Sequence, residues 1–159
     1  MDELLLKSVV ASWKLTINRL DAKFKSLTEE QLQTPVAPER NRVIYLFGHL
    51  TGTHDRMLPL LDIGESRYPE LYAVYGANPD RALPDPLSAN DLKQAWSEVN
   101  AAATFGIEKF SVEDWLKKHT AVSEEDFAKD RTRNRLSVVL NRTNHASYHA
   151  GQITLMKQK

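Results

Sequence analysis

The chain has no cysteine. A disulfide framework is therefore excluded, as is any thiolate nucleophile or metal ligand of the protein's own. A metal held by side chains here must rest on His, Asp or Glu. Glycine is scarce, at 6 of 159 residues, and forms no phosphate-cradling loop. No sign of charge prevails, because 21 Lys and Arg balance 21 Asp and Glu. That balance argues against a whole-domain grip on nucleic acid or on an anionic membrane. No apolar run approaches the length of a bilayer span. Met1-Asp2-Glu3 opens acidic, without the basic and apolar regions of a leader. A soluble, cytoplasmic protein without nucleic-acid or membrane partners is the expectation. Strand-like alternation is absent, and so are Gly-x-Ser-x-Gly, His-Glu-x-x-His and the Glu-x-x-His pattern of di-iron bundles.

What remains is helical periodicity, in a length that predicts one domain over residues 1–159. Leu6, Val9, Trp13, Ile17, Leu20, Phe24 and Leu27 step by three or four, predicting a first helix from about Glu3 to Leu27. Thr28 to Gln31 reads as a capping box opening a short helical turn. Asn41 is the expected cap of a second helix carrying Val43, Leu46, Phe47, Leu50, Met57 and Leu58, which Pro59 and Gly64 end or kink. Periodicity is lost from about Gly64 to Leu87, where Pro69, Pro79, Pro84 and Pro86 accompany Tyr68, Tyr72 and Tyr75. A connection this long suits a crossover and is often functional, so this stretch is the expected lid. Ser88 caps a third helix. Ser111 and Ser123 cap short ones around Trp115 and Phe127. Asn134 opens a fourth long helix running to about Lys157. Four long amphipathic helices predict an all-α four-helix bundle, with the tryptophans as core anchors.

The last helix carries the chemistry. His145 and His149 stand four residues apart, close to one turn, so both imidazoles leave the same face. Two imidazoles so placed can share a metal ion if a third ligand arrives from elsewhere, and can equally be packed core histidines. In the second helix, His49 lies in Phe47-Gly48-His49-Leu50 at the edge of the apolar stripe, and His54 lies near its centre. Periodicity does not choose between them. Val138, Gln152 and Met156 share the face of the histidine pair, opposite Leu136, Val139, Leu140 and Thr143. Gln152 is placed either to bond a ligand or metal-bound water, or to pack as an amide against a neighbouring helix. Tyr148 lies ~80–100° off the histidine face, which favours a pocket rim or packing role. His119, beside Lys117 and Lys118, reads as solvated, as do Lys129, Arg131, Arg133, Arg135 and Arg142.

Gly48-His49-Leu50 on a second helix, a long crossover, and His145-x-x-Tyr148-His149-x-Gly151-Gln152 on a final helix together resemble the DinB-like four-helix-bundle metalloproteins. The resemblance spans nearly the whole chain. It implies a bundle with up-down-down-up topology and a long crossover between helices 2 and 3. It also implies one divalent metal ion held by His49, His145 and His149, preferring His49 over His54. Nickel, zinc, iron and manganese all occur in such proteins. Relatives include thiol-cofactor-dependent S-transferases and isomerases, and a homodimer is implied as well. The family's name concerns DNA-damage induction and implies no DNA binding.

A metal held by neutral imidazoles keeps its Lewis acidity and can activate water or a small thiol. The expectation is a metal-dependent enzyme, either a hydrolase or a small-thiol-dependent transferase, acting on a small-molecule substrate. The alternative is a metal- or ligand-binding bundle without turnover. The chain departs from the family pattern in placing Ala150 after the second histidine, and it shows no recognisable thiol-cofactor pocket. Asp55 is the one acidic residue beside a histidine element, placed either to orient His49 or His54 or to face solvent.

Overall fold

The structure, a computed structural model, describes residues 2–156. The described residues form α1 (Asp2–Ser26), α2 (Glu29–Gln33), α3 (Val43–Asp55), α4 (Met57–Leu60), α5 (Pro69–Tyr75), α6 (Ala89–Glu108), α7 (Val112–Leu116), α8 (Glu124–Lys129) and α9 (Arg135–Thr154). They contain no strand, only isolated bridges at Pro35–Arg42 and Lys118–Asn134. No helix among them is long and apolar enough to cross a membrane.

Local capping sets most helix starts. Thr28 and Ser111 form capping boxes with Gln31 and Asp114. Ser88, Ser123 and Asn134 each accept a bond from the backbone N–H three residues on. Each satisfies a donor that the first helical turn would leave unpaired. The expected cap at Asn41 is corrected: Arg42 occupies the N-cap of α3 and makes no side-chain cap bond. The second helix also stops earlier than Pro59, at Asp55, and Met57, Leu58 and Pro59 belong to the short α4. Lys157, the expected end of the last helix, lies outside the described residues.

The stretch expected to be irregular contains a helix. Pro69 sits at the start of α5, where a fixed φ and a missing N–H suit the first turn. Asp55 holds the approach to it. Its carboxylate accepts from the Ser66 hydroxyl and from the backbone N–H of Arg67 and Tyr68, at 2.8 and 2.9 Å. Asp55 is therefore buried and structural, orienting neither histidine. α5 lies tight against α3 because Gly48 and Gly52 present no side chain. A Cβ at Gly48 would stand 2.3 Å from the Tyr75 ring, and one at Gly52 2.8 Å from the Tyr72 backbone nitrogen.

The core fills the space between α1, α3, α6 and α9. Trp13, Ile17, Leu20 and Phe24 are buried along α1, as their period requires, and Leu27 is buried just beyond its end at Ser26. Phe24 stacks on Phe47 with centroids 3.7 Å apart, and Trp96 meets both edge-on. Burying a side chain of this size stabilises the fold by about 1.5–3 kcal/mol. Trp13 donates to Thr104 on α6, and Lys93 of α6 reaches the Leu27 carbonyl. On α3, Phe47 meets Trp96 and His54 meets Asn100. Leu140 on α9 is exposed rather than packed, while Val138, Val139, Thr143, Ala146 and Ile153 are buried.

Candidate metal centre

Eleven of the 13 residues of α3 are buried. The two that are not, Tyr45 and His49, stand one turn apart with their rings nearly parallel. This opening decides between the two α3 histidines. His49 faces outward toward α9, where it meets His145 and His149. His54 points inward at 0% exposure, between Trp13 and Trp96. Its Nδ1–H donates to Asn100 Oδ1 at 2.8 Å, and Asn100 in turn donates to the Trp96 carbonyl. Burial drives the His54 pKa down to about 3, so the ring is neutral. His54 is a core histidine.

His49, His145 and His149 are half-buried, and each offers a ring nitrogen within 4.8 Å of the others. His145 Nε2 lies 3.0 Å from His49 Nε2 and 3.0 Å from His149 Nε2. Nitrogens bound at about 2.0–2.1 Å to one ion stand about this far apart. The outer nitrogens fix the tautomers. His49 Nδ1 is 3.0 Å from the Tyr75 carbonyl, and His149 Nδ1 is 2.7 Å from Gln152 Oε1. Both partners are acceptors, so each Nδ1 carries the hydrogen and each Nε2 presents a lone pair inward. At most one of the two lone pairs can be met fully by a hydrogen on His145 Nε2. The outer Nδ1 of His145 is buried without a partner. A cation at the convergence satisfies all three lone pairs, so this donor set fits a metal.

The imidazoles are ready as ligands. Burial lowers the pKa of His49 and of His149, with nearby positive charge adding to the effect and the outer hydrogen bonds opposing it. Burial and the neighbouring histidines and Arg142 push His145 down to about 4. These shifts favour the neutral, metal-binding form of each ring.

Gln152 does not pack as an amide against a neighbouring helix. It stays on its own helix and fixes His149, a role visible in principle from their three-residue spacing. Tyr148 is exposed at the rim, its ring 5.2 Å from that of His149 and its hydroxyl 3.3 Å from Gln152 Nε2. The Tyr75 carbonyl as an anchor of His49 was not readable from sequence, because it depends on how α5 docks. Of the three tyrosines expected in a lid, Tyr72 lines the cavity beside the histidines, Tyr68 is tied to Glu98, and Tyr75 is buried. That cavity measures about 250 Å³ and includes Thr53, Arg56 and Arg142. Arg142 is thus half-buried in a pocket wall rather than solvated, and Arg135 is half-buried beside Asp62. His119 is also half-buried, with Nδ1 enclosed and unpartnered, and burial lowers its pKa. A larger cavity of about 590 Å³ lies between α1, α6 and α7, away from the histidines.

Residues 12–153, most of the chain and all three histidines, match a family model described as the DinB superfamily. No curated protein matches the chain.

Proposed function

The chain belongs to the DinB superfamily, and on that premise we propose that it binds one divalent metal ion through His49, His145 and His149 and uses it on a small-molecule substrate. The observation that carries this is the convergence of three Nε2 atoms, two of them with tautomers locked outward by Tyr75 and Gln152. Nickel, zinc, iron and manganese each accept imidazole ligands. An ion there would supply Lewis acidity at the edge of the 250 Å³ cavity, able to activate water or a small thiol. Among the described residues, no Asp or Glu lines that cavity to act as a general base. The chemistry that suits such a wall is hydrolysis or small-thiol transfer, neither of which would need a carboxylate base in the cavity wall. The chain's own residues hold the ligand rings, exclude water on the core side and shape the pocket.

The same reading includes an up-down-down-up four-helix bundle built from α1, α3, α6 and α9. It is supported by residue pairings that climb together between α3 and α6, from Phe47–Trp96 to His54–Asn100. Between α1 and α6 they run in opposite senses, from Trp13–Thr104 to Leu27–Lys93. Between α3 and α9 they also oppose, since His49 meets His145 while Asp62, beyond α3, meets Arg135.

The test is metal content by inductively coupled plasma mass spectrometry on untagged protein, wild type beside His149→Ala. About one equivalent is expected in wild type and little in the variant. The melting temperature should rise on metal addition in wild type only, because a ligand of the native state stabilises by mass action. A wild type that binds none of the four metals overturns the reading. The missing carboxylate favours one second reading, a metal- or ligand-binding bundle without turnover. Metal-loaded protein that turns over no ester, amide or thiol-acceptor substrate would select it.

A further inference from the structure

The cavity beside the histidines adjoins a second one, also about 250 Å³, and the two share Leu60 and Arg142 as walls. Neither wall contains Asp or Glu, although the chain carries 21 acidic residues. Arg142 stands where the two cavities meet. Its Nε is enclosed without a partner, and its one side-chain bond among the described residues runs from Nη1 to Asn141 Oδ1 at 3.2 Å. Arg56, exposed and lining the cavity beside the histidines, lies over the Tyr72 ring at 3.9 Å. Neither arginine forms an ion pair among the described residues, whereas Arg133 of the second cavity has Asp126 at 3.7 Å.

A guanidinium does not shed its proton, so Arg142 cannot escape its situation by neutralising. Burial and the charge of Arg56 both work against it. A half-buried cation facing a second cation is unfavourable until a counter-charge arrives. The described part of the chain supplies none there, and Arg142 lines both cavities.

We propose that Arg142 and Arg56 form an oxyanion subsite, which grips the carboxylate or phosphate group of a small substrate while its reacting end lies at His49, His145 and His149. The planar fork of Arg142 matches either oxyanion in a paired arrangement of hydrogen bonds. The position of the reacting end rests on the metal-site reading. The anion grip itself requires no metal.

The experiment uses full-length protein freed of metal with EDTA, so that anions cannot bind an ion instead. Inorganic phosphate and acetate are titrated separately, with chloride at matched ionic strength as the control. Arginine Nε–H resonances are followed by ¹⁵N NMR, and affinities are taken from the same titrations. Saturable movement of the Arg142 resonance by one oxyanion, absent with chloride, is expected. Phosphate binding tighter than acetate identifies a phosphate ligand, and the reverse a carboxylate. Arg142→Gln should weaken binding about 10-fold or more, the scale of a lost charge-assisted hydrogen bond. Arg56→Gln, on an exposed side chain, should weaken it to a lesser but measurable degree and keeps the test alive if Arg142→Gln folds poorly. No saturable binding in wild type, or unchanged binding in both variants, overturns the subsite. His149→Ala separates the two readings. Anion binding retained there, in a protein whose wild type takes no metal, removes the metal centre and leaves the subsite. Metal uptake by wild type with no anion binding does the opposite.

Discussion

Arg42 and Arg142 both carry guanidinium groups out of bulk water, and they differ in what meets them. Arg42 is 8% exposed, and all five of its side-chain N–H donors are spoken for. Nε and Nη2 reach Asp80 Oδ1 at 2.9 and 2.6 Å, Nη1 and Nη2 reach Asp85 at 2.8 and 2.9 Å, and Nη1 also reaches Gln33 at 2.6 Å. The backbone N–H of Arg42 donates to Asp80 as well. Burial opposes its charge, yet the bonds to both carboxylates hold its pKa above the ordinary value. Asp80 is held below its ordinary value in the same way, the bonds from Arg42 outweighing burial. Arg142 has the burial without the partners. Where this chain uses an arginine to fasten the crossover to α3, it supplies the counter-charges itself. Where it leaves one unpaired, the place lies beside the three histidines. The difference separates a fastening from a binding surface without appeal to any relative.

The largest expected effect breaks the satisfied side. Arg42→Ala would leave Asp80 and Asp85 without their shared cation in a partly buried site, and Gln33 Oε1 without its donor. Removing one member of such a network costs about 3–5 kcal/mol. Urea unfolding at pH 7 measures it, with Arg142→Gln as the counterpart. The Arg142 variant removes an unfavourable cation and should change stability by less than about 1 kcal/mol in either direction, a surface-like effect. Equal losses from the two substitutions would end the distinction between them.

A smaller effect sharpens the unsatisfied side. Gln152 touches His149 Nδ1 from outside and contributes nothing to the core. If its work is to fix the ring and its tautomer, Gln152→Ala should lower metal affinity by about 10–100-fold, the usual consequence of losing an outer hydrogen bond to a ligand histidine. Thermal stability of the metal-free protein should barely move. Competition with a chelator of known affinity reads the first quantity and a melting curve the second. An unchanged affinity would mean that the Gln152 contact is incidental to the convergence of the rings.

What the sequence makes legible divides along a similar line. Caps at Thr28, Ser88, Ser111, Ser123 and Asn134 are read correctly because each acts within three residues. The α1 stripe is legible because one face of that helix is wet. On α3 the same method has nothing to work with, since 11 of 13 residues are buried and the apolar pattern has no polar side. Periodicity therefore leaves His49 and His54 level, and only docking separates them. Pro69 misleads in another way, because a proline that starts a helix has the same letter as one that ends it. The carboxylate partners of Arg42 lie 38 and 43 residues away, beyond any local rule. The Asn100 that holds His54 sits 46 residues off, and was equally hidden.

The smallest effect tests the inward histidine against the outward three. His54 has a folded pKa near 3, lowered by burial, against an ordinary value of about 6.5. Above pH 6.5 the ring is neutral in both folded and unfolded chains, and its contribution is constant. As pH falls below 6.5, the unfolded chain takes up a proton that the folded chain refuses, so stability is lost down to about pH 3. Between pH 7 and pH 6 this amounts to about 0.7 kcal/mol for one such histidine. His49, His145 and His149 act with the same sign in metal-free protein, so the wild-type slope is a sum. In His54→Gln the slope should be shallower by the single-histidine amount, whatever the baseline stability of that variant. Saturating metal should steepen the remaining slope, because ligation holds the three outer rings neutral in the folded chain while the unfolded chain still takes up their protons, and the slope should relax once protons displace the ion. The measurement is urea unfolding at pH 8, 7, 6 and 5 in EDTA and in excess metal. A His54→Gln slope identical to wild type would mean that this ring takes a proton as freely in the folded chain as in water, and that the Trp13–Trp96 enclosure around it opens.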